Sequence, residues 1–269
     1  MNLWHTLLYQ PLVNLLILFY NLLGNNLGLA IIGLTILIRL VLTPLTLPSL
    51  KSAQRMRDLA PELEKLKKKY KKDKQALAKA QLELYKRHGL NPASGCLPQI
   101  IQIIILIALF QAFNQVLRAD GEIIQKLNEV LYPILRLGKS TQINTRFLYL
   151  ELTQPDLFKF TAINIFGFKL EAFPGLFLIG SAVAQFISSY LMMPSNKAAE
   201  IKAKKTKEKN DDMAAMMQKQ MLFMMPLMTL LIGFKFPSGL VLYWLSFSLF
   251  MLGQQLYINF KKKNESSKK

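Results

Sequence analysis

One positive charge set in the middle of an apolar run constrains this chain more than any other feature. Residues Leu27–Leu47 read LGLAIIGLTILIRLVLTPLTL, and Arg39 is the only ionisable group among those 21 residues. A helix of that length crosses the hydrocarbon core of a bilayer, which takes about 20 residues. An arginine in mid-span costs about 3 kcal/mol on insertion scales and about 10 or more on an isolated helix in simulations, so something must offset it. The other long apolar stretches, 97–117, 173–193, 219–234 and 239–260, contain no Asp or Glu. A buried carboxylate within a span is therefore excluded as the partner. Backbone carbonyls, cavity water, a lipid phosphate reached by snorkelling, or an acidic group on a visiting molecule remain.

The neighbours of Arg39 narrow that choice. Thr35, Arg39, Thr43 and Thr46 recur at spacings of 4, 4 and 3, which is one face of a helix. The plainer reading is that the threonines bond back to their own helix while Arg39 snorkels to the headgroups; a wet groove fits better with the depth of Arg39. Pro44 removes a helix hydrogen bond and frees the Leu40 carbonyl, which predicts a bend just below the arginine. Two further spans carry polar stripes: Ser181, Gln185, Ser188 and Ser189 in 173–193, and Trp244, Ser248 and Gln255 in 239–260. The span 97–117 carries Gln99, Gln102, Gln111, Asn114 and Gln115. Interhelical hydrogen bonding is the simpler explanation of such stripes, and a hydrophilic groove the functional one.

A net charge of +18 would suit a nucleic-acid binder if it were clustered on a soluble domain. With 52% hydrophobic residues and a mean hydropathy of +0.24, the chain reads instead as a polytopic helical membrane protein. Its charge alternates between successive loops. Residues 51–96 hold 13 Lys/Arg against 5 Asp/Glu, 194–219 hold 7 against 4, and 261–269 hold 5 against 1, whereas 118–172 are nearly balanced at 7 against 6. The positive-inside rule then places the basic segments in the cytoplasm and 118–172 outside. Five spans put the N-terminus outside and the C-terminus in the cytoplasm.

Several function classes fall away. The single cysteine, Cys96, forms no intramolecular disulfide, and no Cys/His cluster has metal spacing, so neither metal nor cofactor is expected. His5 and His88 stand alone, and no phosphate loop of the G-x-x-x-x-G-K type is present. No charged segment precedes the first apolar stretch, which argues against a cleavable signal peptide. No span supplies a nucleophile with a base, so an intramembrane enzyme is not expected. A secondary transporter or channel for anionic solutes, with Arg39 as ligand, is the alternative reading, although internal repeats and paired broken helices are missing.

In chain order, residues 1–26 read as an external amphipathic helix on the membrane surface, with a sixth span as the alternative. Residues 27–50 form the first transmembrane helix, and 51–96 a cytoplasmic helical hairpin. Its seam runs through Met56, Leu59, Leu63, Leu66 and Tyr70, turns at Lys71-Lys72-Asp73, and returns through Leu77, Ala80 and Leu84. The lysines Lys67, Lys68, Lys69, Lys71 and Lys72 suit acidic headgroups, or a ribosome or chaperone recruited without reading a nucleic-acid sequence. Helix 2 spans 97–117. The external region 118–172 has an interfacial helix over 123–136 and an irregular part from Phe147 to Phe168 with short strands. Helix 3 spans 173–193, a cytoplasmic loop 194–217, helix 4 218–235, helix 5 239–260, and a basic cytoplasmic tail 261–269.

Six groups of residues, spread in order over most of the chain, carry a resemblance. They are Ile38-Arg39 with Thr43-Pro-Leu-Thr46; Met56-Arg-Asp-Leu-Ala-Pro61-Glu-Leu; Tyr85-Lys-Arg-His-Gly-Leu-Asn-Pro92; Gly95-Cys-Leu-Pro98-Gln-Ile-Ile-Gln102; Phe147-Leu-Tyr-Leu-Glu-Leu-Thr-Gln-Pro-Asp156; and Phe236-Pro-Ser-Gly-Leu-Val-Leu-Tyr-Trp244 with Gln254-Gln255. The set resembles the YidC-type membrane protein insertases (YidC/Oxa/Alb), in a short form without the large periplasmic domain or leading span of many relatives. What the resemblance implies is an all-α membrane protein of the bacterial cell membrane. Five core spans would enclose a hydrophilic groove open to cytoplasm and lipid but closed outside, and nascent membrane proteins would pass through it into the bilayer. By position, Arg39 matches the groove arginine, Thr35 a substrate-facing residue, Gln185 a groove glutamine and Trp244 an aromatic substrate contact, with Thr43, Gln102 and Ser188 as further groove candidates. The hairpin matches a region required for activity, and the ribosome and the Sec translocon are the implied partners. Phe247-Ser248 stand where Ser-Asn is common in the family.

Overall fold

The computed structural model describes residues 3–70, 73–91, 97–117, 121–138, 141–165, 168–192 and 213–266. After a π-helical turn, His5–Tyr9, come α1 (Gln10–Leu22), α2 (Leu27–Asp58), α3 (Ala60–Lys69), α4 (Lys74–Arg87), α5 (Leu97–Leu117) and α6 (Gly121–Val130). A 3-10 turn, Pro133–Leu135, leads to two antiparallel ribbons: β1 (Arg146–Phe147) with β2 (Leu150–Glu151), and β3 (Leu157–Ile165) with β4 (Phe168–Pro174). The chain closes with α7 (Leu176–Met192), α8 (Met213–Gly233) and α9 (Ser238–Ser266). Helices α2, α5 and α9 contain segments long and apolar enough to cross a membrane; the apolar parts of α7 and α8 among the described residues, Leu176–Leu191 and Leu222–Gly233, are shorter.

The element boundaries correct the sequence reading in five places. Helix α2 does not end near Pro48 but carries Pro44 and Pro48 inside one continuous helix to Asp58. Helix formers over 51–58 extend it, so Met56 belongs to α2 and not to the hairpin. The break falls at Leu59, with Pro61 in the first turn of α3, where its missing N–H costs nothing. The hairpin is therefore α3 against α4. Leu63, Leu66, Leu77 and Leu84 are half-buried in its seam, and Asp73 caps α4 by accepting the Ala76 N–H at 2.9 Å. Helix α6 stops at Val130 because Tyr132, before Pro133, is extended. Pro174 closes β4, so α7 starts at Leu176 instead of 173. Helix α8 starts at Met213 instead of 218, and α9 continues as helix through the basic tail to Ser266. Lys71, Lys72, Cys96 and most of the loop 194–217 lie outside the described residues.

One end of the bundle is a packed apolar core. Leu12, Val13, Leu16, Ile17 and Tyr20 of α1 bury against Leu27–Leu34 of α2, Ile105–Val116 of α5 and Leu240–Tyr243 of α9. Between spans in lipid, such packing stabilises through close van der Waals contact and not through removal from water. Helix α1 packs against α2 and α5 at this end and reaches α6 and the 3-10 turn. Asn14, itself buried, fixes it there: its amide donates to the Val130 carbonyl at 3.1 Å and its oxygen accepts the Tyr132 N–H at 2.7 Å. The Tyr20 hydroxyl accepts the Asn144 N–H at 2.9 Å.

The segment Phe147–Asp156 ties the helix ends together. Ser238 and Gly239, which open α9, donate N–H groups to the carbonyls of Gln154 and Leu152 at 2.7 and 3.1 Å, and the Ser238 hydroxyl donates to Glu151 O at 2.9 Å. Asp156 is buried and caps α7: its Oδ2 accepts the Leu178 N–H at 2.8 Å, where a carboxylate meets the positive end of the helix dipole. The Tyr149 hydroxyl donates to Asp156 Oδ1 at 2.9 Å, and burial pushes the Tyr149 phenol above its ordinary pKa, keeping that proton in place. Gly175 must lack a side chain because a Cβ there would collide with the Asp156 carboxylate.

Candidate functional site

Beyond Leu34 the character of α2 changes. Its described buried residues there are Thr35, Arg39, Thr46, Ser49 and Leu50, and those of α9 beyond Tyr243 are Ser248, Gln255 and Ile258. The apolar positions Ile36, Leu40, Val41 and Leu45 of α2 are exposed and form a lipid-facing side. The same helix thus turns a polar stripe inward and an apolar stripe outward.

Arg39 does not snorkel. It is only 6% exposed, and its guanidinium turns inward to Gln102 of α5, whose Oε1 accepts from Arg39 Nη2. Gln102 in turn donates through Nε2 to the Tyr243 hydroxyl of α9 at 2.5 Å. Phe247, one turn further along α9, lies with its ring centroid 3.7 Å from Arg39 Cζ, so the cation sits on an aromatic face. Among the described residues no carboxylate pairs with Arg39. All its partners are neutral, and the positive charge inside the bundle is solvated without being cancelled.

The threonines follow the plainer expectation. The hydroxyls of Thr35, Thr43 and Thr46 donate to the carbonyls of Ile31, Arg39 and Leu42 at 2.6, 2.6 and 3.0 Å. Thr43 is also accessible to another helix: its Oγ1 accepts from Gln254 Nε2 at 2.8 Å. Gln254 Oε1 is buried without a hydrogen-bond partner in the structure, an acceptor left over inside the polar half. Gln54 and Asn259 join α2 to α9 lower down at 2.7 Å.

The other candidates are placed as follows. Gln185 accepts from the Thr229 hydroxyl at 2.7 Å and links α7 to α8, apart from the Arg39 cluster. Ser188 donates to Ala184 O at 2.9 Å within its own helix. Trp244 is half-buried against the apolar core. Lys68 and Lys69 are exposed on α3; the side chain of Lys67 lies outside what is described. Tyr243 and Gln254 escaped sequence reasoning as site residues, and Phe247 entered it only as a departure from the family pattern. They occupy the row one residue before Trp244, Ser248 and Gln255, at spacings of 4 and 7, so the signal was present but shifted by 100° around the helix.

A helical membrane protein with a buried cation that meets only neutral partners among the described residues, at the junction of three helices, is the class these features define. The chain matches the family described as 60Kd inner membrane protein over residues 18–266, and it belongs to that family. It is 34% identical over 234 residues to the "Membrane protein insertase YidC" of Fusobacterium nucleatum subsp. nucleatum, covering 87% of this chain and 86% of the relative. It is 31% identical over 272 residues to the "Membrane protein insertase MisCA" of Bacillus subtilis, covering 98% and 84%. Against the YidC insertase of Pelobacter propionicus it is 34% identical over 258 residues, 95% of this chain but 39% of that longer protein.

Proposed function

We propose that this chain is a membrane protein insertase of the bacterial cell membrane, with α2, α5, α7, α8 and α9 as its five spans. The single observation that carries the mechanism is Arg39, buried and charged with neutral partners only. An incoming membrane protein must carry a polar tail across and release an apolar segment sideways. The polar half of the bundle shortens the hydrocarbon that the tail crosses, and the uncancelled charge attracts its acidic residues. Transfer of the apolar segment into lipid supplies the driving force, about 0.8 kcal/mol per methylene, so no nucleotide and no bond chemistry are required.

The apolar half of the bundle, under α1 and the 147–156 segment, closes the groove on the outer side. The α3–α4 hairpin with its lysines stands in the cytoplasm and receives the ribosome, and the spans act alone or beside the Sec translocon. Charge distribution supports this orientation. Photocrosslinking from Thr43 and Trp244, both half-buried, to ribosome-stalled nascent chains tests the reading; Thr35 is too deeply buried to report. Adducts from these two positions and none from lipid-facing Leu40 before release are expected. Adducts from Leu40 alone would mean that substrates pass along the lipid side and never enter the polar half.

A further inference from the structure

The β3–β4 ribbon plays no part in the site described above. Nine residues of β3 at about 3.3 Å each give it a reach of about 30 Å. Its strands pair with each other, and among the described residues no further strand adds to them. An isolated two-stranded ribbon is marginal in water and needs an apolar surface to lie against.

Its composition says which surface. At the base Phe158 pairs with Phe173, and these rings are 47% and 56% exposed; Phe160 lies 6.4 Å from Phe173. Lys159, paired with Ala172, alternates to the opposite side and is exposed. Toward the tip the register pairs Ile163 with Leu170 and Ile165 with Phe168, with Asn164 opposite Lys169 between them.

The base also adjoins the exposed apolar side of α7, one of the five proposed spans. Phe158 stacks on Tyr149 at 5.7 Å, and Tyr149 lies 5.6 Å from Phe177 in the first turn of α7. From Leu176 an exposed apolar row descends α7 through Ile179, Val183 and Ile187 at spacings of 3, 4 and 4. The exposed apolar row of α7 is therefore joined to the exposed rings of the ribbon through Tyr149 and Phe177. Aromatic side chains that bury a ring and keep a wet edge concentrate at this depth of a bilayer.

We propose that the β3–β4 ribbon is a lipid-binding arm that lies on the membrane surface with Phe158 and Phe173 in the headgroup–acyl boundary and Lys159 toward water. Naming that leaflet the outer one rests on the topology proposed above; the contact with lipid does not. The arm would hold the bilayer surface against the start of α7, next to the Asp156 cap.

The test uses the full chain in vesicles of phosphatidylethanolamine and phosphatidylglycerol. Cys96, the only cysteine, is replaced by Ser, and an environment-sensitive NBD label is placed singly through Phe158→Cys, Phe173→Cys or Lys159→Cys. Labels at 158 and 173 are expected to show blue-shifted emission and several-fold stronger quenching by lipids spin-labelled near the headgroup than the label at 159, which aqueous iodide should quench instead. The two ring positions are tested separately, so one misfolded variant does not decide the result. Blue-shifted labels that lipid fails to quench would mean that the ribbon packs on protein, and equal iodide quenching at all three sites would mean that it stands in water; either overturns the proposal. Neither readout involves insertion activity, so failure here leaves the insertase reading to its own test.

Discussion

The two halves of the helix bundle are built from the same three helices by opposite rules. In the half under α1, residues Leu27–Leu34, Ile105–Val116 and Leu240–Tyr243 interlock as an apolar core. In the other half, the positions that the same helices turn inward are mostly polar, Thr35, Arg39, Gln102, Thr43, Thr46, Ser49, Ser248, Gln254 and Gln255, with Leu50 and Ile258 among them. The boundary is Tyr243, whose ring is buried in the core and whose hydroxyl accepts from Gln102. Apolar packing is concentrated on one side of it and, on the proposed function, receptivity to a guest on the other. A bundle packed throughout would have no room for a guest, and one polar throughout would lack the core that holds α2, α5 and α9 together.

That contrast orders the expected effects of substitution. Ile17→Ala and Leu16→Ala in the apolar half should each cost about 2–5 kcal/mol, the range for emptying a packed site. A thermal or denaturant melt of the purified protein would show it; a loss below 1 kcal/mol would mean that α1 is only loosely laid on the bundle. Gln102→Ala in the polar half removes the acceptor of a charged donor, an interaction of about 1.5–3 kcal/mol, and should also lower insertion by loosening the hold on Arg39. Gln254→Ala breaks one neutral interhelical bond to Thr43 and should cost only about 0.6 kcal/mol, the mean for such pairs in membranes. Smallest of all, replacing residues 60–87 by a flexible linker should leave the melt unchanged while insertion fails. A melt that collapses instead would place the α3–α4 hairpin in the core.

How much of this was legible in the sequence depended on whether a feature is local. The isolation of Arg39 was legible, because a missing carboxylate can be verified by reading every span. Its inward turn to Gln102 and Phe247 was not, because two facing rows of α9 lie one residue apart and periodicity does not choose between Tyr243–Phe247–Gln254 and Trp244–Ser248–Gln255. The end of α2 was misplaced because Lys51, Arg55 and Arg57 mark where lipid stops, and a helix does not stop for that reason. Short strands were expected within Phe147–Phe168, but the length and pairing of the β3–β4 ribbon were not legible because the register shifts between Lys159 and Ile163, which breaks the alternation. The role of Asp156 was illegible altogether: a carboxylate 20 residues before the helix that it caps leaves no local pattern.

The central claim is that Arg39 works through its charge. Insertion into proteoliposomes of two substrates that differ only in an acidic or a neutral leading tail, compared for wild type, Arg39→Lys and Arg39→Ala, tests it most directly. Lysine keeps the charge but loses the planar fork that meets Gln102. The account predicts that Arg39→Lys retains most insertion of the acidic-tailed substrate, while Arg39→Ala loses it and still inserts the neutral-tailed one. Equal loss of both substrates in both variants would contradict it, and would make Arg39 a structural tie to Gln102 and Phe247 instead of a charge held for a guest.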